Sequence, residues 1–162
     1  MIKKNICLAI ALALCASLCA SLCACGAPHP ITGSQFQERV VNLGYTTEDI
    51  THQYVDIIGY PKVVRCIGFA SYPLHFEFFE MADVDFAVEF FRISKDQVDE
   101  FNRENGEKPA TDTDKDDYQK YVMTTGGIKY VIARVDTTVL YAYCEDISDL
   151  TQFNNAIKAV GY

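Results

Sequence analysis

Cys66, His52 and His75 supply a thiol and two imidazoles, the side-chain types of a nucleophile and its base. Their spacing matches no catalytic motif. The chain has no Gly-x-Ser-x-Gly elbow, no phosphate loop and no paired histidines at helical spacing. The expectation is a protein that is not an enzyme and carries no cofactor. Asp112, Asp114, Asp116 and Asp117 alternate as carboxylates do when they converge on calcium. Asp117 stands where such a loop needs glycine, and Met123 where it needs a closing bidentate glutamate. A solvated acidic loop is expected there, and no metal. Cys66 and Cys144 remain as a candidate disulfide, which would stabilise the fold by roughly 4 kcal/mol if unstrained. Their small or apolar neighbours, Val64, Gly68, Leu140 and Ala142, favour two buried free thiols.

A binding surface is the stronger candidate. Tyr141 and Tyr143 share one side of a strand while Leu140 and Ala142 take the other, and Tyr130 and Arg134 continue the face on the preceding strand. Tyrosine and arginine on a rigid sheet suit contact with a protein or a glycan, through apolar area with a polar tip. The competing reading puts the rings in the core with their hydroxyls at its rim.

The amino-terminal segment carries an address. Lys3 and Lys4 lead into an apolar run, Ile6 to Ala24, which ends in Leu22-Cys23-Ala24-Cys25-Gly26. Charged start, apolar stretch and small residues before a cut describe an export signal. The ending resembles the lipobox of bacterial lipoproteins, with Cys23 where a small residue is usual. The resemblance implies that Cys25 receives a diacylglyceryl group and that residues 1–24 are removed. Two acyl chains, at about 0.8 kcal/mol per buried methylene, would hold the protein stably on a membrane. Two other readings share the apolar run, an uncleaved membrane helix and a plain signal cut near Ala24 or Ala27. Neither needs a cysteine three residues after Leu22.

Residues 25–33 then form a lipidated tether, stiffened by Pro28 and Pro30. Residues 34–162 are expected to form one α+β domain, behaving as a monomer. After removal of the signal, 12 basic and 22 acidic side chains leave a formal charge of −10, which argues against a nucleic-acid partner.

The elements that must position these residues follow from apolar spacing. Phe36, Val40 and Leu43 predict a helix starting at Thr32 or Ser34 and stopped by Gly44. The same pattern, with Gly and Tyr at its end, recurs as Phe153, Ile157, Val160, Gly161 and Tyr162, behind Ser148 as a capping residue. Strands are expected at 53–58, 62–69 and 74–81, with His75 on the wet side of the third. A long helix follows from Asp83 to about Asn102, breakable at Ser94. Residues 105–117 read as a mobile loop, and 118–125, 128–135 and 139–144 as three more strands before a helix at 149–160. The order is helix, three strands, helix, three strands, helix: an antiparallel sheet of about six strands in two meanders. This organisation, and nothing finer, resembles small surface lipoproteins of Gram-positive bacteria. It implies a protein on the outer face of the cytoplasmic membrane, anchored by lipid, with an envelope protein or a glycan as partner.

Overall fold

Thr32 starts helix α1, Gly33–Asn42, by a reciprocal cap: its hydroxyl accepts the Gln35 N–H at 3.2 Å, while Gln35 Oε1 accepts the Thr32 N–H at 2.8 Å. Asp83 does the same for helix α2, Val84–Asn102, accepting the Phe86 N–H at 2.8 Å. Helix α2 runs through Ser94 without a break. Helix α3, Thr151–Val160, has Leu150 at its start and no side-chain cap, so Ser148 does not fill that role. These come from a computed structural model, which describes residues 28–55, 61–148 and 150–162. Residues 1–24, expected to be an export signal, and Cys25 lie outside the described residues.

The recurring helix pattern has a common structural meaning. Tyr45 N–H reaches Val40 O at 3.2 Å and Tyr162 N–H reaches Ile157 O at 3.1 Å, closing both helices in the same way. The turn needs a left-handed residue, and Gly44 and Gly161 sit at φ of 88° and 98°. Gly161 carries a second constraint: a Cβ there would stand 2.5 Å from Arg39 Nη1, which donates to Val160 O at 3.0 Å and ties α3 to α1. A Cβ at Gly44 would meet nothing within 4 Å. Gly44→Ala is therefore expected to cost about 1 kcal/mol, the left-handed penalty alone, and Gly161→Ala about 2 kcal/mol through the added loss of the Arg39 bond. Urea unfolding of the two variants side by side measures the difference; equal losses would remove Arg39 from the account.

Seven antiparallel strands form one sheet: β1 (Glu48–Asp49), β2 (Val63–Ser71), β3 (Leu74–Met81), β4 (Thr111–Asp114), β5 (Tyr118–Thr125), β6 (Ile128–Val135) and β7 (Thr138–Cys144). Their order is β1-β2-β3-β7-β6-β5-β4, so the two expected meanders join where β3 pairs with β7. The class is as expected, while the strand count is seven rather than six. The strand expected at 53–58 is not there in its described part: Thr51–Gln53 form a 3₁₀ turn, and residues 56–60 lie outside the described residues. The two-residue β1 takes the edge beside β2 instead. Residues 105–117 are not a free loop either, since Thr111–Asp114 pair with Val122 to Gln119 of β5. Both outer strands are short and bear carboxylates, Glu48 and Asp49 on β1, Asp112 and Asp114 on β4.

Helices α1 and α3 cover one face of the sheet. Phe36, Val40, Phe153, Ile157 and Val160 pack there on Ile67, Phe69, Phe76, Phe78, Leu140 and Ala142. Ile31, expected in the tether, is buried in this same core, so the domain grips the chain before α1 begins. Helix α2 covers part of the other face, with Ala87, Phe90, Phe91 and Val98 on Cys66, Phe79, Met81, Tyr121, Ile132 and Val139. The face expected to be wet is thus half covered. Cys66 and Cys144 fall into different cores, on opposite sides of the sheet. Their partners on β3, Phe79 and Leu74, are five positions apart, roughly 16 Å along a strand. A bridge spans no more than about 7 Å between Cα atoms, and both thiols are free and buried.

Candidate functional site

The second face is left uncovered beyond the start of α2, and the strand registers collect there a set of polar aromatic residues. Glu77 of β3 pairs with Tyr141 of β7, His75 with Tyr143, and Tyr143 in turn with Tyr130 of β6. With a period of two, all of these point to one side of the sheet. Tyr54, just after the 3₁₀ turn, closes the near end: its ring meets Phe79 edge-on at 5.0 Å and its hydroxyl donates to Glu77 Oε2 at 2.7 Å. The His75 imidazole bonds Glu77 Oε1 through Nε2 at 2.9 Å and stacks on Tyr143 at 4.6 Å. Phe90, Ser94 and Gln97 of α2 make the far wall, and the hollow so enclosed is about 310 Å³. His75 and Glu77 also line a neighbouring hollow of about 570 Å³, with Thr46, Glu48, Ile50, Gly68 and Phe69 around it. The pair is a saddle between the two.

The electrostatics keep the tyrosines neutral and the carboxylate held. Burial, then the Glu145 and Glu77 carboxylates, push the Tyr143 phenol up from its ordinary value; burial, Tyr143 and Glu145 do so for Tyr130. Both stay hydrogen-bonding phenols at neutral pH. The Glu77 side chain is 15% exposed, and each of its oxygens has one partner already, leaving capacity for a ligand donor on each. Cys66 is fully buried in the core under α2. Burial, with Glu77 and Asp49 behind it, drives its thiol far above the ordinary value, and a protonated thiol does not attack. Cys144 points into the other core and donates to Asp146 O at 3.1 Å.

Of the four residues expected to form a binding face, Tyr130, Tyr141 and Tyr143 come together, at ring separations of 5.9 to 6.5 Å. Each is partly buried, a result between the two readings of the sequence. Arg134 is not with them. It is 1% exposed, and its guanidinium donates to Gln119 Oε1 at 2.6 Å, Asp136 O at 3.1 Å, Lys115 O at 3.1 Å and Asp116 O at 2.7 Å. It clamps two turns together.

Strand alternation placed His75 on the wet side of its strand, the side that Glu77 shares, but Tyr54 was not legible as part of the site, since its segment reads as a strand of its own and its described start is a 3₁₀ turn instead. Two members of the acidic run are drawn into structural pairs: Gln119 Nε2 donates to Asp114 at 2.6 Å, and Asp112 lies 3.6 Å from Lys95. Among the described residues no group of three His, Cys, Asp or Glu side chains is placed to hold a metal ion. No helix among them is long and apolar enough to cross a membrane. No protein-family model, curated protein or solved structure matches this chain.

Proposed function

We propose that this chain is a membrane-anchored, extracytoplasmic binding protein whose domain takes a small ligand in the tyrosine-lined hollow around His75 and Glu77. One observation carries the reading: a carboxylate held by Tyr54 and His75 at the floor of a hollow of about 310 Å³ walled by aromatic rings. Concave, mostly apolar sites with a few fixed polar groups are where small ligands bind. The lipobox-like Cys25 supplies the anchor in this reading. The hollow is taken as a binding site and not as a catalytic one because the sequence carries no catalytic motif around these residues.

Two measurements test it. Cys25→Ala is expected to abolish incorporation of a clickable fatty acid and leave unprocessed precursor; persistent labelling would remove the anchor. For the hollow, a panel of monosaccharides, amino acids and amines is titrated against the full chain while tyrosine ring resonances are followed by NMR. Shifts confined to Tyr54, Tyr141 and Tyr143, lost in Tyr143→Ala, are expected. A panel that moves none of them contradicts the site.

A further inference from the structure

We infer that the ligand of this hollow is an organic cation, an alkylammonium group seated against Glu77 and the surrounding rings. The inference rests on the reading of the hollow as a binding site and adds the class of molecule it takes.

The charge balance of the walls is the first ground. Tyr54, His75, Phe79, Phe90, Ser94, Gln97, Tyr141 and Tyr143 surround Glu77, and no Lys or Arg is among these lining residues. Several basic side chains elsewhere are held by other carboxylates, Arg65 by Asp49, Arg92 by Glu89 and Asp96, and Lys95 by Asp99. A carboxylate withdrawn from water and served only by neutral hydrogen bonds and an imidazole attracts a positive group more strongly than it would at the surface.

Ring geometry is the second ground. Tyr141 and Tyr143 are set at 70° to one another with centroids 6.1 Å apart, and Tyr54 lines the same hollow with its hydroxyl on Glu77 Oε2. The face of an aromatic ring is its negative region, and rings meeting at an angle around a carboxylate form a corner favourable to a cation from several sides. Ammonium groups bearing alkyl substituents suit such a site better than a bare metal ion, because they have apolar surface to bury and no demand for several oxygen ligands. An anionic ligand would meet Glu77 directly, with Glu145 close enough to act on Tyr143 as well.

Choline and its neutral isostere 3,3-dimethylbutan-1-ol separate charge from shape. Isothermal titration of the full chain in non-ionic micelles is expected to show choline binding at least tenfold more tightly than the isostere. Glu77→Gln keeps an acceptor for Tyr54 and is expected to erase most of that preference; Tyr143→Leu should weaken choline by about tenfold. Thermal unfolding of each variant checks that it is folded, and the choline-to-isostere ratio in the unaltered chain decides the matter if a variant is not. Equal binding of the two compounds, or binding of methyl β-glucoside without choline, overturns the cation while leaving the binding site standing. Silence from all three overturns the cation; if the wider panel is silent as well, the site itself falls.

Discussion

Arg134→Ala is expected to lower the free energy of unfolding by about 3 kcal/mol, because hydrogen bonds from one charged donor to four neutral acceptors go at once. The guanidinium makes four hydrogen bonds and is 1% exposed. Its loss takes a donor from Gln119 Oε1 and from three main-chain carbonyls, of which Lys115 O keeps the Tyr118 N–H at 3.2 Å, and each buried acceptor left unmet costs about 1–3 kcal/mol. Water reaches the exposed turn at Lys115 and Asp116, which keeps the total near the lower end of the sum. The effect has a place as well as a size. Asp116 belongs to the β4–β5 turn and Asp136 to the β6–β7 turn, and Asp136 N–H already bonds Asp117 O at 3.2 Å between them. Hydrogen exchange should therefore quicken at Lys115, Tyr118 and Asp136 while the β2–β3 amides stay protected. A variant that loses less than 1 kcal/mol, with no local change in exchange, would contradict the clamp. Arg134→Lys keeps the charge but not the fork of donors, and should recover less than half of the loss.

Phe78→Ala is expected to cost about 3–5 kcal/mol, the usual range for emptying a buried aromatic site. Phe78 is fully buried on β3, the strand that joins the two halves of the sheet. It stacks on Phe36 of α1 at 4.9 Å and meets Tyr162, beyond α3, edge-on at 6.4 Å. One truncation thus opens a cavity under both helices of that face. Phe86→Ala is the contrast: it lies on α2 and is 36% exposed, and its loss should remain below about 1 kcal/mol. Guanidinium unfolding of the pair reads the difference, and similar losses for both would mean that the α1–α3 core is not what holds the sheet.

The reading of the sequence followed apolar period and capping chemistry, and succeeded where those exist. Asp83 and Thr32 announce helix starts, Gly44 and Gly161 announce stops, and the Gly126-Gly127 hairpin turns β5 into β6. The failures are segments whose placement depends on something far away. Thr111–Asp114 has no apolar residue to bury, so nothing in its composition marks it as a strand; pairing with β5 orders it. Gln53 to Ile58 carries strand-like composition, yet its described start turns in 3₁₀ geometry to bring Tyr54 over the sheet. Arg134 shows the limit of alternation as a guide. The period places it on the same side as Tyr130 correctly, but whether that position is open or sealed depends on a turn that arrives from 18 residues earlier. The candidate site was legible as far as the tyrosines and the alternation that sets His75 and Glu77 on the side of β3 opposite Phe76, because register within one sheet carries them. The wall from α2 and the lid of Tyr54 come from other parts of the chain.

The carboxylates on the two outermost strands acquire a further meaning once many copies share a surface. Chains held in a plane by their amino termini, as proposed for Cys25, meet at a lateral density far above their concentration in free solution, and one of the ways they meet is side by side. A bare strand edge offers a ladder of unpaired N–H and C=O groups to the next sheet. Here Glu48 and Asp49 stand at one end of the sheet and Asp112 and Asp114 at the other. Asp49 and Asp112 already have Arg65 and Lys95 at 3.6 Å, so the repulsion between two such edges falls mainly to Glu48 and Asp114, at about 1 kcal/mol or less per exposed pair. Charge on short strands, and not a covering helix, finishes both ends of the sheet, and in the anchored layer proposed here it would weigh against pairing edge to edge.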